Sequence, residues 1–479
     1  MGSEEVLGGN YLLLKAEEAG VVDLGRLLFS PKLNDRRFIQ CPEDVQAPQF
    51  RQRWLLFISV VAQILLLASA KSLKNFGDTF ELWLNRLSSN GGLITLFLNI
   101  LRGKMITPKR SSAAFVSVVG NFDTRVDLDE SIKEKDAKYK AFISMMASKL
   151  SYENEEFVGN AVRNHWDMEF LGLHSFWNDY QELESTRAII VQDRKSKPNL
   201  IVVAFRGTEP FEAVQWRTDV DISWYELPNV GRIHGGFMKA LGLQKKNGWP
   251  KEIDQSSSSG GPEHRYAYYS IREKLRGMLK EKEDAKFILT GHSLGGALAI
   301  LFAAVLTLHE EAWLLDKLEG VYTFGQPRVG DNQFGEFMKD KLRKYDVRYM
   351  RYVYCNDVVP RIPYDDKTLF FKHFGPCLYF NSLYHGQVLE EEPNKNYFSL
   401  FWVIPKILNA VWELIRGFLM PFVYGKDYIQ NWFMTMFRFV GLIIPGVSAH
   451  IPTDYVNVTR LGSLDEFLEL QNSQDSKAD

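Results

Sequence analysis

The spacing of apolar and polar positions changes character several times along the chain. Residues 1–50 carry no pattern tied to a chemistry. Trp54–Ala70 is a seventeen-residue run without a charge, bracketed by Arg51 and Arg53 on one side and by Lys71 and Lys74 on the other. A bilayer span takes about 20 residues, so this run sits at the lower edge of that range. The cationic flanks and the opening tryptophan predict membrane contact, and the competing reading is a buried core helix. Phe76, Phe80, Trp83, Leu84 and Leu87 then recur at helical spacing and predict an amphipathic helix, with Leu93–Leu101 as a shorter apolar piece. From Asp129 the pattern becomes that of a soluble α/β domain. One helical face runs through Ile132, Tyr139, Phe142, Ile143, Met146 and Leu150 and another through Phe157–Trp166, and β-branched runs fall at Ala188–Val191 and Leu200–Phe205. A polar loop at Asp254–Pro262 is followed by a helix over Tyr266–Leu279. Apolar runs at Phe287–Thr290, Val321–Phe324 and Arg348–Cys355 predict further strands. Strands alternating with helices imply a mostly parallel sheet whose functional loops lie at the strands' carboxyl ends. Tyr397–Pro445 is again rich in Trp, Phe, Ile and Leu, but Lys406, Glu413, Arg416, Lys426, Asp427 and Arg438 interrupt it. Its broad apolar face (Ile407, Leu408, Val411, Trp412, Leu414, Ile415, Phe418, Leu419) leaves Asn409, Glu413 and Arg416 mostly to the other side. Core packing and docking on an interface both fit that face. Tyr455–Thr459 reads as a strand, and Gln471–Asp479 as a polar tail.

This patterning predicts an N-terminal lipid-seeking region, 1–128, and an α/β domain, 129–479, that carries an apolar insertion at 397–445. Composition alters the picture little. At 479 residues, 46% hydrophobic and 13% aromatic, the chain has ample material for a core. A net charge of −2 gives no electrostatic argument for nucleic acid. Three cysteines, Cys41, Cys355 and Cys377, are too few and too scattered for a disulfide framework or a zinc site, and favour a reducing compartment. The acidic start MGSEEVLGG lacks the order of a signal peptide, and without one Asn457-Val458-Thr459 reads as a chance glycosylation match.

The chemistry centres on Gly291-His292-Ser293-Leu294-Gly295, set between a predicted strand and an all-apolar helix. A GxSxG in that setting predicts a nucleophile elbow, a sharp strand-to-helix turn with the serine hydroxyl exposed at its apex. The Leu294 N–H then opens the helix, where it is placed to bind an oxyanion. A serine nucleophile needs a base and an orienting acid. Asp357 follows a strand on the elbow's side of the sheet and is the best acid, while Asp331 and the Asp365-Asp366 pair are weaker. In elbow hydrolases the histidine comes after the acid, which leaves His373, His385 and His450. His450 is preferred and His385 is its competitor. Phe205-Arg206-Gly207-Thr208 ends an earlier strand, so Thr208 can supply the second oxyanion donor unless the segment is an ordinary turn. The aromatic segment from Phe211 to Tyr225, with Trp216, Trp224 and Tyr225, reads as an exposed lid.

These stretches resemble the class 3 lipases. The resemblance is carried by FRGT (205–208), IHGGF (233–237), TGHSLGGALA (290–299), YTFGQPRVGD (322–331), NDVVP (356–360) and HIPTDY (450–455), in that order. It implies an α/β-hydrolase fold, a triad of Ser293, Asp357 and His450, and an oxyanion hole of Thr208 and Leu294. It also implies a lid around Trp216 and Asp219, with no cofactor or metal. The additions at both ends look like the plant oil-body branch of the family. That branch implies a triacylglycerol lipase acting on an acylglycerol substrate at a lipid droplet or an endoplasmic reticulum membrane, on the cytosolic face. Two features depart from the secreted fungal members: the segment Trp54–Leu101, and the 93 residues that separate Asp357 from His450. Two other functions compete, a phospholipid or galactolipid acyl hydrolase and a non-catalytic droplet scaffold on a degenerate hydrolase fold.

Overall fold

The computed structural model describes residues 10–43, 45–242, 264–282, 284–364, 371–397 and 399–463. The loop Asp254–Pro262, the Asp365-Asp366 pair and the tail Gln471–Asp479 lie outside the described residues.

Twelve strands are present among the described residues: β1 (Tyr11–Leu14), β2 (Ile39–Gln40), β3 (Glu169–Asn178), β4 (Leu183–Asp193), β5 (Leu200–Phe205), β6 (Trp224–Leu227), β7 (Gly231–His234), β8 (Lys286–His292), β9 (Leu318–Phe324), β10 (Arg348–Tyr354), β11 (Cys377–Phe380) and β12 (Gly386–Leu389). Eight of them form the central sheet, in the order β12-β11-β10-β9-β8-β5-β4-β3. The neighbours from β5 through β11 run parallel, and β12, β4 and β3 add antiparallel edges. This is an α/β-hydrolase fold. β5, β8, β9 and β10 all point their carboxyl ends to one edge, so the loops after Phe205, His292, Phe324 and Tyr354 emerge together. Helix Leu294–Leu308 is buried on every side against this sheet, as its unbroken apolar sequence predicts.

β3 belongs to no periodic run in the sequence. It is an outer strand whose pairing to β4 is broken by register shifts between Phe170 and Gly172 and between Phe176 and Asn178. Tyr455–Thr459 is not a strand but part of helix Pro452–Leu461. Pro452 sits in its first turn, where the missing N–H costs nothing, and Tyr455, Val456 and Val458 are buried. Burial outweighs the modest helix penalty of the β-branched residues.

A second, antiparallel sheet has the order β2-β1-β6-β7, so β1 stitches the N-terminal residues to the chain around 224–234. Trp224 and Tyr225 are therefore buried strand residues, not part of an exposed aromatic segment. Trp54–Ala70 and the amphipathic stretch behind it form one helix, Phe50–Ser89.

Phe50–Ser89 and Val403–Tyr424 are each long and apolar enough to cross a membrane. Both turn polar residues inward. Ser59 donates to the Val220 carbonyl at 2.8 Å, and Gln63 is buried beside Asp221 and Tyr180. On the outer side Trp54, Ile58 and Leu65 are exposed. Helix Val403–Tyr424 buries Lys406, Glu413 and Arg416 and exposes Ile404, Leu408, Phe418 and Phe422. Helix Trp432–Ile443 buries Arg438 and exposes Trp432, Met436, Phe439 and Ile443. The two arginines meet on Asp454, at 3.0 Å from Arg416 and 2.7 Å from Arg438, and Arg438 also reaches Glu413 at 2.9 Å. The Tyr384 hydroxyl donates to Asp454 as well. All four charges are sealed from water, so each depends on its partners.

Removing one partner of such a set strands the other charges in a dry interior, at a cost of about 3–5 kcal/mol. Asp454→Leu is expected to lose that much in urea unfolding, and a loss below about 1 kcal/mol would mean that the arginines find other partners.

Candidate active site

The elbow is built by close approach. A Cβ on Gly291 would lie 2.0 Å from the Gly295 carbonyl carbon, and one on Gly295 would lie 2.2 Å from the Phe205 carbonyl oxygen. Strand, helix and the end of β5 meet there with no room for side chains. Between the glycines Ser293 takes φ +59° and ψ −133°, a conformation that costs a non-glycine residue about 1–3 kcal/mol.

The structure brings Ser293, His450 and Asp357 into one hydrogen-bonded line. His450 Nε2 lies 2.8 Å from Ser293 Oγ, and His450 Nδ1 lies 2.8 and 3.0 Å from the two oxygens of Asp357. His450 reaches the site from a short 3-10 turn, Ser448–His450, directly before helix Pro452–Leu461. The insertion between Asp357 and His450 thus leaves and returns without displacing either residue. Asp357 is fully buried. It also accepts from the Val359 N–H at 2.9 Å and from the Tyr455 hydroxyl at 2.5 Å. The two donors hold the carboxylate with both oxygens toward the imidazole.

The competing residues lie elsewhere. His385 is exposed in a loop before β12. His373 is buried against the Pro360 carbonyl, 2.7 Å away. Asp331 caps helix Asn332–Lys344 by accepting from the Phe334 N–H.

Thr208 follows β5, whose last residue, Phe205, pairs with Gly291, so the FRGT loop begins beside the elbow. The Thr208 hydroxyl donates to Asp219 at 2.8 Å. Asp219 and Trp216 lie on helix Ala213–Val220, where Asp219 is buried and Trp216 half-buried with its indole N–H on the Pro210 carbonyl. Asp219 therefore faces the FRGT loop rather than solvent. Burial raises its pKa from 3.8 to about 7, with the Thr208 hydrogen bond and His450 opposing. The sequence places Asp219 near the site only through the resemblance, and although Tyr455 ends the HIPTDY motif, nothing in the sequence assigns it to Asp357, 98 residues away.

Ser293 is only 2% exposed. Helix Ala213–Val220, whose Asp219 holds Thr208, packs on helix Phe50–Ser89; just before it Phe211 sits in the notch left by Gly77 and against the Phe76 and Phe80 rings, and Lys74 pairs with Glu212 at 2.9 Å. A cavity of about 490 Å³ lies along this seam, bounded by Glu81, Arg110, Tyr152, Glu153 and Phe211, and none of its lining residues belongs to the triad.

A family model described as lipase (class 3) matches residues 202–367. Triacylglycerol lipase OBL1 of Nicotiana tabacum is 43% identical over 478 residues, covering 86% of this chain and 83% of that protein. Proteins of the same name from Arabidopsis thaliana and Ricinus communis are 40% and 36% identical, each alignment covering 96% of both chains. The chain belongs to the class 3 lipase family. Likeness to the plant relatives runs through both apolar regions and is not confined to the hydrolase core.

For this lipase, Ser293→Ala is expected to abolish ester hydrolysis at an unchanged melting temperature, since one hydroxyl is lost and no cavity forms. His450→Ala should be equally inactive and His385→Ala fully active in the same assay. The folded lipase also keeps a proton on Asp219 that the unfolded chain sheds above its ordinary value. The stability this supplies is complete below pH 3.8 and declines until the pH passes about 7. Asp219→Asn should flatten that part of the stability–pH curve, and an unaltered slope would place the titration elsewhere.

Proposed function

We propose that this lipase hydrolyses the acyl esters of triacylglycerol at a lipid–water interface, with a lipid droplet as the surface it works on. The reading rests above all on the Ser293–His450–Asp357 line, and the plant relatives' name supplies the substrate. His450 Nε2 takes the Ser293 proton as Oγ attacks the ester carbonyl. Asp357 holds Nδ1–H and stabilises the imidazolium. The N–H groups of Leu294 and Thr208 receive the oxyanion, each worth about 3 kcal/mol of barrier. The imidazolium then returns its proton to the departing diacylglycerol oxygen. Water, deprotonated by the same histidine, releases the fatty acid from the acyl-enzyme. The Asp219 contact orients Thr208 for its part.

The docking surface is the outward apolar face of the insertion together with that of helix Phe50–Ser89. Helices that bury arginine, lysine and glutamate while leaving Phe422 89% exposed have the inverse of a water-facing pattern. Because their charges are anchored to the domain, the helices are read as lying on the lipid rather than crossing it. Helix Ala213–Val220 is the segment whose movement would open the route to Ser293.

Product analysis on emulsified triacylglycerol should find fatty acid and diacylglycerol, at rates well above those on phospholipid vesicles. Faster release from the vesicles would replace the substrate assignment. Each exposed side chain that enters lipid contributes about 1.5–3 kcal/mol of adsorption. Leu408, Phe418 and Phe422 changed together to Ser are therefore expected to cut activity on the emulsion at least about tenfold while leaving a dissolved short-chain ester unaffected. Equal losses on both substrates would remove the docking role.

A further inference from the structure

His292 occupies the variable position of the GxSxG, next to the nucleophile, and the mechanism above gives it nothing to do. It is 3% exposed and its ring lies 4.6 Å from that of His450, centroid to centroid. Its Nε2 is 2.7 Å from the backbone carbonyl oxygen of His450, and its Nδ1 is 3.0 Å from the Tyr152 hydroxyl. A carbonyl only accepts, so Nε2 carries the proton, Nδ1 is bare, and Tyr152 must donate to it. Burial, with His450 adding to it, pushes the His292 pKa well below its usual value, so no second cation forms beside the imidazolium of the reaction. Tyr152 touches the oxyanion loop as well: a Cβ on Gly207 would lie 2.1 Å from its hydroxyl oxygen.

We propose that His292, with its tautomer set by Tyr152, is a positioning residue for the base. It fixes the His450 main chain, and with it the height of the imidazole over Ser293, and it ties that height to the FRGT loop. The proposal rests on the reading of His450 as the base and adds the device that holds it. The geometry requires a donor at the position of Nε2, and glutamine can place its amide nitrogen there, whereas leucine cannot.

The test uses the full-length lipase, a dissolved short-chain ester, and His292→Leu, His292→Gln and Tyr152→Phe. Misplacing a catalytic group by about 1 Å can cost about a hundredfold. His292→Leu is therefore expected to lose about a hundredfold in kcat, with KM within about twofold, since substrate binding does not use this contact. His292→Gln should recover most of that loss. Tyr152→Phe, which keeps the ring and its packing, should lose about tenfold in kcat in protein that remains folded at the assay temperature. A His292→Leu enzyme with wild-type kcat would overturn the proposal. So would His292→Gln falling as far as His292→Leu, because packing and not the hydrogen bond would then be at stake. Failure of the underlying reading looks different: His450→Ala would stay active whatever the His292 variants do.

Discussion

At the elbow, β8, the helix after it and the end of β5 come within a distance that only Gly291 and Gly295 permit, and the other features of the site follow from that crossing. It forces Ser293 to a positive φ, lifts Oγ to the apex and leaves the Leu294 N–H at the open end of a buried helix. The same crossing brings the FRGT loop beside the serine, because β5 is the parallel neighbour of β8. It also sends the His292 side chain onto the His450 main chain. The strain at Ser293 is affordable because the flanking strand and helix are packed into the core on all sides.

A second constraint shapes the surface. A charge taken out of water needs a partner, and the insertion supplies its own in Glu413, Arg416 and Arg438, with Asp454 waiting on the helix that follows His450. This set locks two helices to the domain with their apolar sides outward. It also ties that apolar surface to the helix that directly follows the His450 turn, since His450 and Asp454 are four residues apart. Helix Phe50–Ser89 follows the same plan with neutral residues, Ser59 and Gln63. Through Phe211 and Glu212 it grips the segment leading into helix Ala213–Val220.

Local order was what the sequence expressed well. The elbow announces itself through strand, glycine, serine, glycine and apolar helix within about 20 residues, and Asp357 through its place at a strand end. Tertiary relations were harder to see. Tyr455–Thr459 has strand composition, yet burial beneath the site makes it helical. The amphipathic pattern of Val403–Tyr424 is plain in the sequence, but not which side faces the domain, since Arg416 finds Asp454 38 residues further on and Glu413 finds Arg438 25 residues further on. Trp224 and Tyr225 read as surface aromatics because the strand that covers them, β1, lies more than 200 residues earlier. The contacts of Asp219 with Thr208 and of Tyr455 with Asp357 follow from packing and leave no periodic trace.

The proposed hydrolysis requires Ser293 to be activated by His450 in the folded lipase, and covalent trapping measures that most directly. A fluorophosphonate, which requires an activated serine, should label the wild-type protein once, at the peptide that carries Ser293, and label His450→Ala far more slowly. Labelling at another serine, or none in a preparation that still hydrolyses ester, would contradict it.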